Sequence, residues 1–146
     1  MKASAWFLGG LVVGTALVQV SVAQDRARRG INHIGIGTKN YDAALAFYRD
    51  TLGFTVTSGS AGWIEFDAGP VSLALHAIPA ALAAGIVIES PPRVREQAPV
   101  KLSFAVPDVA AERARLAAAG VVMREARSWG CDGVDPEGNV FQLIAR

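Results

Sequence analysis

One order of secondary-structure elements occurs twice in this chain, and that recurrence constrains its fold more than anything else in the sequence. Residues 31–38, INHIGIGT, alternate and are rich in β-branched side chains, which predicts a strand with Ile34 and Ile36 on one face and His33, Gly35 and Gly37 on the other. Asn40 stands where a helix cap belongs, and Ala44, Leu45, Phe47, Tyr48 and Leu52 then recur at helical spacing until Gly53. Residues 54–58, 62–67 and 71–77 read as three short strands parted by Gly, Ser and Pro. The same grammar resumes with VKLSFAV at residues 100–106. Asp108 caps a helix bearing Val109, Ala114, Leu116 and Ala117, Gly120 closes it, and residues 121–126, 131–134 and 139–144 read as extended. Shifted by 68 residues, His33 falls on Lys101, Asp67 on Asp135, Ala74 on Gln142 and Leu75 on Leu143. The expectation is one α+β domain over residues 31–146, built from two βαβββ modules at 31–77 and 100–146. Pro79, Pro91 and Pro92 argue against one regular element in the connecting segment 78–99.

Alternate residues of a strand face opposite sides of a sheet, so parity sorts the strand residues into two sets. Ile34, Ile36, Ile64, Phe66, Leu73, Leu75, Leu102, Phe104, Phe141 and Leu143 form the apolar set, which must face the helices. The opposite face then carries His33, Trp63, Glu65, Asp67, Ser72, Ala74, His76, Lys101, Ser103 and Gln142. Such a concentration of imidazole, indole, carboxylate and ammonium groups on one sheet face is the candidate functional surface.

The formal charge is +1 with acids and bases mixed along the chain. No basic stripe exists to neutralise a phosphate backbone, and nucleic acid is not expected as a partner. Cys131 is the single cysteine, so no internal disulfide can form, and it reads as an inert small residue. Lys2, the apolar run 5–18 and the small residues Ser21-Val22-Ala23 predict a signal peptide over 1–23, followed by a linker at 24–30 and an exported, periplasmic or secreted domain. The alternative is an uncleaved anchor, and only then is a membrane a partner.

INHIGIGTKNYDAALAFYRDTLGF and VKLSFAVPDVAAERARLAAAGV resemble the first strand and helix of the two modules of vicinal oxygen chelate proteins, the glyoxalase and bleomycin-resistance superfamily. DPEGNVFQLI resembles their closing turn and last strand. The resemblance spans residues 31–146 and implies an open, curved sheet around a cup with the helices outside, a small-molecule ligand and a homodimer. In metal-dependent members the ligands come from positions that His33, Ala74, Lys101 and Gln142 occupy here. Alanine has no donor atom, an ammonium repels a cation and a glutamine amide is a weak ligand, so no cofactor is favoured. A divalent metal held at a displaced site by His33, Glu65 and His76 is the alternative.

The resulting functional expectation is a glyoxalase-like lyase or isomerase with a degenerate metal site, acting on a small oxygenated compound. His33, Glu65 and Lys101 are its candidate catalytic residues, with Trp63, His76, Ser103, Trp129 and Gln142 against the substrate. A non-catalytic binder of the bleomycin-resistance type, with Trp63 and Trp129 stacked on a planar ligand, is the alternative, and enzyme status stays open. The plain structural reading of Lys101 is an ion pair with Glu65.

Overall fold

A computed structural model describes residues 31–98 and 100–146; the expected signal segment and linker lie outside them. The elements run β1 (His33–Thr38), α1 (Tyr41–Ala46), a wider π-helical turn (Phe47–Thr51), β2 (Val56–Ser60), β3 (Trp63–Asp67), β4 (Ser72–Ala77), a short α2 (Ala80–Ala83), β5 (Leu102–Val106), α3 (Val109–Ala118), β6 (Cys131–Val134) and β7 (Val140–Ala145). Hydrogen bonds join the strands as β1-β4-β3-β2 in one sheet and β5-β7-β6 in the other. In each sheet the first strand of the module lies parallel to its last, β1 with β4 and β5 with β7, while the remaining pairs are antiparallel. This mixed α+β arrangement is that of the glyoxalase and bleomycin-resistance fold.

All ten residues of the apolar set lie in, or pack against, one hydrophobic cluster. Phe66 and Leu75 from the first module and Leu116 from α3 are wholly buried. Each such side chain contributes about 1.5–3 kcal/mol by leaving water. Rings carry the cluster across the two modules: Phe54 meets Phe104 at 5.1 Å between centroids, and Phe47 meets Phe141 at 5.9 Å. The chain leaves its helical segments at Gly53 and Gly120, both at positive φ, where a side chain would be strained.

Two expectations need correction. Asp108 caps α3, its Oδ1 accepting from Ala111 N at 2.9 Å, but the Asn40 side chain makes no capping bond to α1. A carboxylate from the other module instead holds the residues leading into α1: Glu137 Oε1 accepts from Asn40 N and from Thr38 Oγ1, each at 2.6 Å. Its neighbour Asp135 is held equally firmly, accepting from Glu137 N, from Asn139 N and Nδ2, and from the buried Tyr48 hydroxyl at 3.0 Å. The DPEGN turn thus fastens the end of the second module to the first helix. Second, residues 121–126 do not form a strand. Met123 bridges Gly133 in isolation, and the chain then turns back through Arg127 and Gly130.

Candidate functional site

Strand register sets the first module's polar face in three rows. Asp67, Ser72 and His33 are cross-strand neighbours in the first row, Glu65, Ala74 and Gly35 in the second, and Trp63, His76 and Gly37 in the third. The middle row is a trough, because alanine and glycine leave β4 and β1 nearly bare there. Trp63 fills it. Its ring stacks on His76, 5.7 Å between centroids with the planes 20° apart, and also meets His33 edge-on at 5.4 Å. His33 lies two strands away and one end of β4 distant, so the line from Trp63 to His33 passes over Ala74. Ala74 is accordingly 0% exposed although it points away from the helices. The indole Nε1 donates to Glu65 Oε1 at 3.4 Å. Across the third row, a Cβ at Gly37 would sit 3.2 Å from the His76 ring, so the bare backbone there makes room for that imidazole.

The second module carries a parallel arrangement. Lys101, immediately before β5, reaches Asp132 at 3.1 and 3.3 Å and lies over the Trp129 ring at 5.5 Å. Trp129 stands in the turn before β6, 48% exposed. Ser103 Oγ donates to Gln142 Oε1 at 2.7 Å, and Asp132 is the cross-strand neighbour of Gln142, as Glu65 is of Ala74. Base, indole and acid therefore occur in both modules, as His33, Trp63 and Glu65 and as Lys101, Trp129 and Asp132. The partner of Lys101 is Asp132 rather than Glu65. Asp132 escaped the sequence reading because the two parity sets took no residue from 131–134, and the offset between β3 and β6 is one residue shorter than between the other strands. The eight candidate residues fall into two groups: His33, Trp63, Glu65 and His76 together, and Lys101 with Trp129 beside the Ser103–Gln142 pair. Among the described residues no hydrogen bond, ion pair or ring contact joins the two groups.

The family model of the Glyoxalase/Bleomycin resistance protein/Dioxygenase superfamily matches residues 30–143. The chain belongs to this superfamily. Solved structures agree in fold: TnmS3, an antibiotic binding protein from Streptomyces sp. CB03234, is 23% identical with a TM-score of 0.59, covering 82% of this chain and 97% of its own. Lactoylglutathione lyase from Agrobacterium tumefaciens is 22% identical, TM-score 0.58, covering 80% and 93%. A glyoxalase/bleomycin resistance protein/dioxygenase from Nocardioides is 21% identical, TM-score 0.60, covering 81% and 83%. Comparison with curated proteins finds no match.

Members of the superfamily bind small molecules, often with a divalent metal, so the donor set here was tested against one. It does not fit. The superfamily's ligand positions offer His33, the bare Ala74, a Lys101 ammonium already bound to Asp132, and a Gln142 amide bound to Ser103. At the displaced position, the Trp63 ring stands between His33 and His76, and Glu65 faces its N–H. Among the described residues no three His, Cys, Asp or Glu side chains converge to hold an ion.

Proposed function

We propose that this protein binds a planar, oxygenated small molecule on the shelf formed by His33, Trp63 and His76, as a non-catalytic carrier or sequestering protein of the bleomycin-resistance type. One observation carries the reading: the Trp63 indole stacks on His76 and meets His33 edge-on, on the sheet face where Ala74 offers no donor atom at a superfamily ligand position. An indole supplies broad contact area and a preferred stacking geometry to any flat ligand. His33, Glu65 and Ser72 around it offer hydrogen-bond partners to ring substituents. The lyase or isomerase reading asks Lys101 for a free ammonium, whereas both oxygens of Asp132 hold it. TnmS3, which is similar in fold and named as an antibiotic binding protein, supports the reading.

Isothermal titration of the full chain with 2-naphthol tests the proposal. Trp63→Ala removes the stacking surface and should weaken binding roughly tenfold or more, from about 1.5 kcal/mol of stacking plus the lost apolar contact. Equal affinity in wild type and Trp63→Ala defeats it. Turnover of a hemithioacetal by the wild type, abolished in Glu65→Gln, restores the lyase reading instead. Export of the mature domain and homodimer formation belong to the same proposal, with N-terminal sequencing of the native protein and sedimentation velocity as their checks.

A further inference from the structure

Segment 78–98 folds back over the turn between β6 and β7. Arg95 N donates to Gly138 O at 2.8 Å, and a Cβ at Gly138 would collide with the Arg93 carbonyl, so only glycine lets the two stretches approach this closely. Between them lies a cavity of about 760 Å³, lined by Val87, Ile88, Arg93, Val94, Arg95 and Glu137 among others.

The chemistry of this cavity is two-signed. Glu137 is 4% exposed, and its Oε1 is fixed from behind by Thr38 Oγ1 and Asn40 N. Its Oε2 has no hydrogen bond among the described residues, and Glu137 is one of the residues lining the cavity. The carboxylate cannot swing away without losing both bonds, so a fixed anionic acceptor stands in the wall. Arg93 and Arg95, two residues apart and both exposed, line the same cavity. Neither has a carboxylate partner among the described residues, and Glu96 beside them is engaged by Arg124. Glu89, at the edge of the same cavity, is the remaining acid. Val87, Ile88 and Val94 supply apolar lining.

We propose that this cavity binds a zwitterion with a primary ammonium and a carboxylate, an apolar α-amino acid or a short peptide of such residues. The ammonium sits on Glu137 Oε2, a compact donor for a fixed acceptor. The carboxylate sits on Arg93 and Arg95, whose forked donors match it. The side chain rests on Val87, Ile88 and Val94. This site makes no use of the Trp63 shelf, so the two readings stand or fall separately.

Isothermal titration of the full chain with L-leucine and with leucyl-leucine tests the site, against 4-methylpentanoate and isoamylamine, which each keep one charge. At least one zwitterion should bind with a Kd below about 10 mM, and both single-charge analogues should bind at least about tenfold more weakly, the effect of one lost charge-assisted bond. Arg93→Gln/Arg95→Gln lies at the exposed rim and should cost about tenfold with the fold intact. In that variant 2-naphthol binding should not change, and in Trp63→Ala leucine binding should not change. Glu137→Gln, which keeps an acceptor for Thr38 and Asn40, should lose affinity for isoamylamine and leucine alike. The proposal is overturned by absence of binding for both zwitterions, by 4-methylpentanoate binding as tightly as leucine, or by an arginine variant that folds and binds leucine unchanged.

Discussion

Replacing the buried Glu137 should destabilise the whole domain, because one carboxylate oxygen of the second module holds two donors of the first. Thr38 is 1% exposed, and Glu137 Oε1 takes its hydroxyl and the Asn40 N–H, each at 2.6 Å. Hydrogen bonds to a charged group contribute about 1.5–3 kcal/mol each, and a stranded buried donor adds its own desolvation cost. Asn40 N–H is partly buried and regains some water, so the lower half of the combined range applies: Glu137→Ala should cost about 3–5 kcal/mol. That is a large share of the roughly 5–15 kcal/mol available to a domain of this kind. Glu137→Gln keeps an acceptor but loses the charge assistance and should cost about 1–2 kcal/mol. Urea unfolding of the full chain measures both through the shift in midpoint at constant slope. A double-mutant cycle with Thr38→Val isolates the pair and should give a coupling of about 1.5–3 kcal/mol. Additivity of the two substitutions within about 0.3 kcal/mol, or a Glu137→Ala cost under about 1 kcal/mol, would refute the claim that this turn binds the modules together.

Two further predictions rest on packing and on titration. Gly133→Ala would put a methyl 2.7 Å from Met123 Sδ and 2.8 Å from Phe141 Cε1, and overpacking of that degree should cost about 1–3 kcal/mol in the same urea assay. The Tyr48 phenol is pushed well above the usual tyrosine value, first by burial and then by the adjacent Asp135 and Glu137 carboxylates. A raised phenol binds its proton more tightly in the folded than in the unfolded chain. Its stability contribution is therefore complete below about pH 10 and drains away above it at up to about 1.4 kcal/mol per pH unit. Tyr48→Phe should remove that alkaline slope, seen as a flatter dependence of thermal midpoint on pH above 10.

Side-chain parity was the most legible property of this sequence, because the two-residue period of a strand is rigid: every residue set on the apolar face, from Ile34 to Leu143, reached the common core. The grouping of His33, Trp63, Glu65 and His76 followed from the same rule, but their contacts did not. Only the register of β3 and β4 tells that Trp63 reaches past His76 towards His33. Asn40 misled because local capping propensity cannot foresee a carboxylate arriving from a residue 97 positions away. Asp132 was hidden by a one-residue change in offset, which flips every assignment in a four-residue strand. Matching the acid nearest Gln142, rather than holding one offset along the whole chain, would have found it. The cavity under segment 78–99 had no local signature at all, since it depends on Gly138 admitting the Arg93 backbone.

The bare floor at Ala74 has an evolutionary consequence. A donor side chain at that position and the indole that now covers it compete for the same volume, so chelation and stacking are mutually exclusive states of one module. A lineage moving between them cannot pass by a single substitution: placing glutamate at 74 first evicts Trp63, and shrinking Trp63 first leaves a shelf with neither metal nor stacking surface. On the proposed reading, the Trp63 and Ala74 pair thus acts as a ratchet in this chain, at a divide that the backbone itself does not impose.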